Sequence, residues 1–199
     1  MNWRSKCIGS AFEFRNALEL FCKRKRKSKT VTTTYCKSGC CSIKKIKYVS
    51  NQDYRFVAQT KNANKAGVLL FDSSNNSVLL VQSAGNFFGL PKGSIEENET
   101  VSEAASREVF EETGINVSNI ALQTAVKFKP YNNQTYFLID FKQTEVDVQE
   151  TEGNDANGIT WIKLDCLRNL ISNGNMKLNN SSKLVLKHFL NFYFFSCIR

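Results

Sequence analysis

Gly93-Ser94-Ile95-Glu96-Glu97-Asn98-Glu99-Thr100-Val101-Ser102-Glu103-Ala104-Ala105-Ser106-Arg107-Glu108-Val109-Phe110-Glu111-Glu112-Thr113-Gly114-Ile115 is the stretch on which the reading of this chain turns. Val101, Ala104, Ala105, Val109 and Phe110 recur at three- and four-residue spacings, which predicts one amphipathic helix over Thr100 to Thr113. Gly114 is the expected stop, because it accepts the positive φ of a helix C-terminus. Glu108, Glu111 and Glu112 stand at i, i+3 and i+4, so the helix gathers their carboxylates on one face. Like charges at that spacing weaken an isolated helix by about 0.2–0.5 kcal/mol per pair. Near the C-terminus they also oppose the macrodipole. A hard divalent cation turns this local fault into a site, since Mg²⁺ is held by carboxylate oxygens, water and substrate phosphates.

A bare Glu-x-x-Glu-Glu is usually a solvated helix face; here the surrounding residues reverse that reading. The segment resembles the Nudix box, Gly-x5-Glu-x7-Arg-Glu-U-x-Glu-Glu-x-Gly-U, with U a bulky aliphatic residue. Gly93, Glu99, Arg107, Glu108, Val109, Glu111, Glu112, Gly114 and Ile115 fill every specified position without a gap. The resemblance extends over roughly residues 65–170. It implies an α/β (α+β) fold in which a mixed sheet is sandwiched between helices, and a hydrolase of phosphoanhydride bonds. It also implies that Glu108, Glu111 and Glu112 hold Mg²⁺ or Mn²⁺, with the Gly93 carbonyl as a further ligand. Glu99 would pair with Arg107 to fix the loop against the helix. The general base would be a box glutamate or a carboxylate in a later acidic loop, where Glu145, Glu150 and Glu152 stand.

Outward from this segment, Ala66 to Phe71 and Val78 to Val81 are apolar runs separated by Asp72-Ser73-Ser74-Asn75-Asn76, which reads as a β-hairpin. Ser83 to Phe87 reads as loop. Ile120 to Phe128 and Thr135 to Phe141 are expected to be strands joined by a turn at Pro130 to Asn133. Gly158 to Ile162 reads as a further strand and Ser181 to Phe195 as a second amphipathic helix. Before residue 60, Arg15 to Cys22 has the composition of a short helix, while Thr30 to Thr34 and Ser42 to Ser50 suit strand or loop equally.

Charge divides the chain. The net +9 resolves into 16 Lys/Arg against 3 Asp/Glu in residues 1–65, and 11 against 15 in residues 66–199. We therefore expect a basic N-terminal extension over 1–60 and a hydrolase domain over 61–199. No secretory signal or transmembrane run is visible, and reduced cysteines in the cytoplasm are the expectation. Cys36-x3-Cys40-Cys41 lacks the second thiolate pair of a zinc site, and His188 is the only histidine.

Two features bear on the substrate. Phe88-Gly89-Leu90-Pro91-Lys92-Gly93 carries Lys92, and Pro-Lys-Gly is similar to mRNA-decapping enzymes and to some dinucleoside and diphosphoinositol polyphosphate hydrolases. All of these act on highly anionic substrates, which suits an ammonium beside the metals. The basic extension, with Phe12, Phe14, Phe21, Tyr35, Tyr48, Tyr54 and Phe56 dispersed through it, has the composition to follow an RNA backbone. Capped mRNA is the leading expectation. The alternatives are small polyphosphates and a non-catalytic RNA-binding module that keeps the fold.

Overall fold

The computed structural model describes residues 29–34, 42–47, 63–82, 87–146 and 156–196. The expected helix at Arg15 to Cys22, the cysteines at 36, 40 and 41, and Glu150 and Glu152 lie outside them. The described elements are strands β1 (Lys29–Thr34), β2 (Ser42–Lys47), β3 (Lys65–Asp72), β4 (Ser77–Gln82), β5 (Phe87–Gly89) and β6 (Lys92–Ser94), then helices α1 (Val101–Thr113) and α2 (Asn119–Thr124). They continue with β7 (Val126–Tyr131), β8 (Gln134–Asp140), β9 (Gly158–Lys163), α3 (Leu164–Ser172), β10 (Lys177–Leu178) and α4 (Asn180–Ser196).

The main sheet runs β1-β2-β9-β4-β3-β8-β7, with the short strands β5, β6 and β10 attached to it. It is mixed: β3 pairs parallel with β8, and antiparallel with both β4 and β6. Alternation along the strands sorts their side chains to two faces. Val68, Leu70, Leu79, Val81, Phe137, Ile159 and Trp161 form one cluster with Ala104, Ala105 and Val109 of α1 and Leu122 of α2. Leu69, Phe71, Val78, Leu80 and Ile162 form the other, with Leu164, Leu167 and Leu170 of α3 and Val185, Leu186 and Phe189 of α4. The Phe71 ring meets Phe189 edge-on at a centroid separation of 4.9 Å, joining the central strand to α4. A continuous apolar run in β3 is thereby explained: seven of its eight residues are buried, because both faces of the sheet are covered.

Three expectations need correction. The stretch Ile120 to Phe128 is not one strand: its first part belongs to α2, and β7 begins at Val126. In α2 only Leu122 is buried, while Ile120 is 76% exposed, so its apolar residues do not alternate toward a core. The turn between β7 and β8 is narrower than expected. Pro130 and Tyr131 remain in β7, where the register shifts between Phe128 and Tyr131, a position that tolerates a proline on an edge strand. Phe87, expected in a loop, opens β5. Helix α3 adds an element that the sequence reading did not include.

The undecided stretch before residue 60 contains strands. β1 and β2 form an antiparallel pair, and β2 joins β9 through Lys44↔Ile159 and Lys45↔Gly158. No helix among the described residues is long and apolar enough to cross a membrane.

Candidate active site

Both ends of α1 are fixed by local chemistry. Thr100 caps the N-terminus: its hydroxyl accepts from the Glu103 amide at 3.3 Å, and the Glu103 carboxylate accepts from the Thr100 amide at 2.8 Å. Gly114, at φ 74°, ends the helix by donating its N–H to the Phe110 carbonyl. Ala104, Ala105 and Val109 are buried against the sheet, which aims the neighbouring positions Arg107, Glu108, Glu111 and Glu112 toward the Gly93 loop.

Arg107 organises that junction. Its Nε and Nη2 donate to the two Glu99 oxygens at 2.8 and 2.9 Å, and Nη2 also donates to the Ser94 carbonyl at 2.9 Å. Nη1 donates to Glu108 at 2.9 Å and to Glu111 at 3.1 Å. All five N–H donors of the guanidinium are thus engaged. The Glu99 pair pushes the Arg107 pKa upward, and the same hydrogen bonds hold the Glu99 carboxyl below its usual value. Loop and helix are stapled by a bidentate ion pair, the strong geometry for these groups.

Gly93 lies in β6, paired to Ala66 of β3, with its α-carbon turned to α1. A Cβ built there would fall inside the Glu108 carboxylate. A side chain here would have to push the end of Glu108 aside. Glu108 is correspondingly withdrawn from water, and burial pushes its pKa up; Arg107 opposes the shift, Glu111 adds to it, and Lys92 opposes it. Glu112, only 7% exposed, accepts a hydrogen bond from the Lys92 backbone N–H at 3.1 Å. Leu90, two residues before Lys92, donates its N–H to the Ser182 hydroxyl at 2.8 Å, so the first turn of α4 anchors the lead-in to the site.

The structure therefore brings together Glu99, Arg107, Glu108, Glu111, Glu112, Lys92 and Gly93. It does not gather three carboxylates in ligating arrangement among the described residues. Glu108 and Glu111 meet at one cationic nitrogen of Arg107, while Glu112 faces the Lys92 amide. The donor set still suits a hard cation, because it is all oxygen and one positive centre, the Arg107 Nη1, already touches two of the three side chains.

Glu145 sits elsewhere. It borders a depression with Thr113, Gly114, Ile115 and Asn116 at the C-terminal end of α1. It also borders a second, of about 540 Å³, with Asn75, Ser77, Trp161 and Lys163. None of Lys92, Gly93, Glu108, Glu111 and Glu112 lines either depression. Sequence reasoning also missed the Ser94 carbonyl, the Lys92 amide and Glu103. Only Glu103 left a signal, since Thr100-Val101-Ser102-Glu103 has the capping-box spacing.

Comparison with known proteins agrees with this architecture. The NUDIX domain model matches residues 61–182, and the chain belongs to this family of hydrolases. It is 32% identical over 149 residues to hydrolase 111R of Invertebrate iridescent virus 3, a match covering 70% of this chain and 82% of that protein. It is 35% identical over 82 residues to the NAD-capped RNA hydrolase NudC of Haemophilus influenzae, covering 41% of this chain and 30% of NudC. With the m7GpppN-mRNA hydrolase dcap-2 of Caenorhabditis elegans it shares 33% identity over 107 residues, covering 51% of this chain and 14% of dcap-2. The chain thus spans a minor part of both RNA hydrolases. Enzymes of this family generally use divalent metals.

Proposed function

We propose that this Nudix hydrolase removes the cap of capped RNA, cutting a phosphoanhydride bond with Mg²⁺ or Mn²⁺ held by Glu108, Glu111 and Glu112 and by the Gly93 carbonyl. The observation that supports the metal assignment is the meeting of Glu108 and Glu111 at one nitrogen of Arg107, with Glu108 lying against Gly93. When bound, the cation supplies charge that neutralises phosphate oxygens and stabilises the leaving phosphate. The chain's own residues position. Arg107 fixes Glu99 and Ser94 of the loop against Glu108 and Glu111, and Glu112 ties the Lys92 amide to α1. The Lys92 ammonium, whose charge is felt at Glu108, attracts a polyphosphate to this edge. The base that deprotonates the attacking water is a box glutamate or one of Glu145, Glu150 and Glu152, of which Glu145 borders a depression with Thr113 and Gly114 at the C-terminal end of α1.

Capped RNA as substrate is supported by Lys92 in Pro-Lys-Gly, by the basic extension, and by two relatives named as capped-RNA hydrolases. It places the activity in the cytoplasm, where capped RNA is abundant. The test is a panel of m7G-capped RNA, NAD-capped RNA, dinucleoside polyphosphate, diphosphoinositol polyphosphate and nucleoside triphosphates at matched Mg²⁺ and Mn²⁺. The highest kcat/KM is expected on a capped RNA. A higher value on any of the small molecules refutes the substrate assignment and leaves the hydrolase class standing.

A further inference from the structure

Three consecutive residues of the lead-in engage three different elements. The Leu90 N–H donates to Ser182 Oγ of α4 at 2.8 Å, the Pro91 carbonyl accepts from the Val68 N–H of β3 at 3.0 Å, and the Lys92 N–H donates to Glu112 of α1 at 3.1 Å. Helices α4 and α1 belong to opposite faces of the sheet: α4 packs in the cluster of Phe88, Leu90 and Tyr136, and α1 in that of Val68 and Leu70. The segment is closely seated. A Cβ on Gly67 of β3 would lie 2.6 Å from the Pro91 oxygen and 2.7 Å from the Lys92 Cβ. Leu90 and Pro91 are buried, so water does not replace a lost partner of the Leu90 N–H. Planar peptide units carry a displacement at Leu90 to the Lys92 amide and on to Gly93.

Ser182 fixes the α4 end of this series. It is 0% exposed. Its own place is set by Asn179, which caps the helix: the Asn179 side-chain oxygen accepts from the Ser182 N–H at 2.9 Å, and the Asn179 N–H donates to the Phe88 carbonyl at 2.9 Å. A hydroxyl accepts through two lone pairs and donates once. Ser182 uses this capacity by accepting from Leu90 while also bonding Tyr136. Ser181 is buried beside it and differs in one respect. Its hydrogen bonds run to the Tyr136 hydroxyl at 3.0 Å and to the Asn179 side chain at 3.1 Å, not to residues 90–92.

We infer that Ser182 is a positioning residue for the hydrolysis: by holding the Leu90 N–H, it sets the Lys92 amide against Glu112 and Gly93 against Glu108, from the face of the sheet opposite the carboxylates. The inference rests on the proposed role of Glu108 and Glu112 in holding the metal. It assigns α4 a part in catalysis that its packing against the sheet does not require.

The test compares Ser182→Ala with Ser181→Ala in the full chain. Both remove a buried hydroxyl from the first turn of α4, and both are expected to lower the thermal midpoint. In metal-free, ¹⁵N-labelled protein the Lys92 amide resonance is expected to move in Ser182→Ala and to keep its parent position in Ser181→Ala. Activity is read at saturating Mg²⁺, well below either midpoint, on the best substrate of the panel. Ser182→Ala is expected to lose roughly ten- to hundredfold in kcat with KM near the parent's, the pattern of a group that serves the chemical step and not substrate binding. Ser181→Ala is expected to keep the parent kcat. Ser182→Cys, close to serine in shape but a weak acceptor, should show the same amide shift and a smaller fall in kcat, and it carries the test where the alanine variant does not fold. An unmoved Lys92 amide in a folded Ser182 variant overturns the inference. So does a parent kcat in that variant, or an equal loss of kcat in Ser181→Ala, since the loss then follows the stability of α4. The amide is read without metal or substrate, so a resonance that moves as expected while Glu112→Gln keeps full activity contradicts the metal assignment and leaves the contact with Ser182 standing.

Discussion

Gly93 is the residue at which backbone geometry and chemistry meet. Its missing side chain is the space occupied by the Glu108 carboxylate, so Gly93→Ala must displace either β6 or Glu108. The carboxylate is the far end of a flexible side chain, so it is the part that moves, at small cost to the fold. We expect the variant to lose a hundredfold or more in kcat at saturating Mg²⁺, with only a modest fall in thermal midpoint. Activity equal to the parent's would show that Glu108 is not needed where it stands. The residue types of this site were legible in the sequence because each position of the box has one chemical duty. Their present contacts were not. That Arg107 would reach Glu108 and Glu111 as well as Glu99 depends on side-chain directions that spacing alone leaves open, and the Lys92 amide beside Glu112 is a backbone group with no sequence signature.

At the scale of the element, α1 is a helix whose stability is set at its ends, since the acidic face near its C-terminus works against it. Thr100→Ala removes the hydroxyl that caps the Glu103 amide. A loss of about 1 kcal/mol is expected, read as a lower denaturant midpoint with kcat preserved. A kcat that falls with the midpoint would mean that the cap also positions the carboxylates. This helix was legible because thirteen residues allow a 3.6-residue period to repeat. Helix α2, with six residues and a single buried side chain, offers no period to read, and its apolar composition resembled a strand. Leu164, Leu167 and Leu170 did carry a helical spacing in α3, a signal present in the sequence and not used. Strands of two or three residues such as β5, β6 and β10 exist only through their partners, which no local pattern announces.

For the whole molecule, Asp72 joins distant parts of the chain. It is buried at the end of β3, accepts from the amide and hydroxyl of Ser74 and the amide and side chain of Asn75, and also accepts from the Gln143 amide at 2.7 Å. The Ser74 hydrogen bond leads in holding its carboxyl far below the ordinary 3.8, against the opposing effect of burial. A carboxyl depressed in this way contributes stability that is complete above the unfolded value and is lost as pH falls through the folded one. The denaturant midpoint should therefore decline below about pH 4. Asp72→Ala should cost about 2–4 kcal/mol at neutral pH and flatten that acid decline. An acid limb as steep in the variant as in the parent would assign it to other carboxylates.

The pairing of β6 with β3, the packing of α1 on the sheet and the lead-in from β5 meet where α1 presents Glu108, Glu111 and Glu112 beside Lys92 and Gly93. The proposed hydrolysis requires that face to hold a divalent cation. Titrating Mg²⁺ and Mn²⁺ against hydrolysis of capped RNA by the parent and by Glu112→Gln tests this most directly. No turnover in chelator, saturable activation by either metal, and a fall in kcat of two or more orders of magnitude in the variant, about 3 kcal/mol or more, is the predicted result. Metal-independent turnover, or a folded Glu112→Gln protein with undiminished kcat, would contradict it.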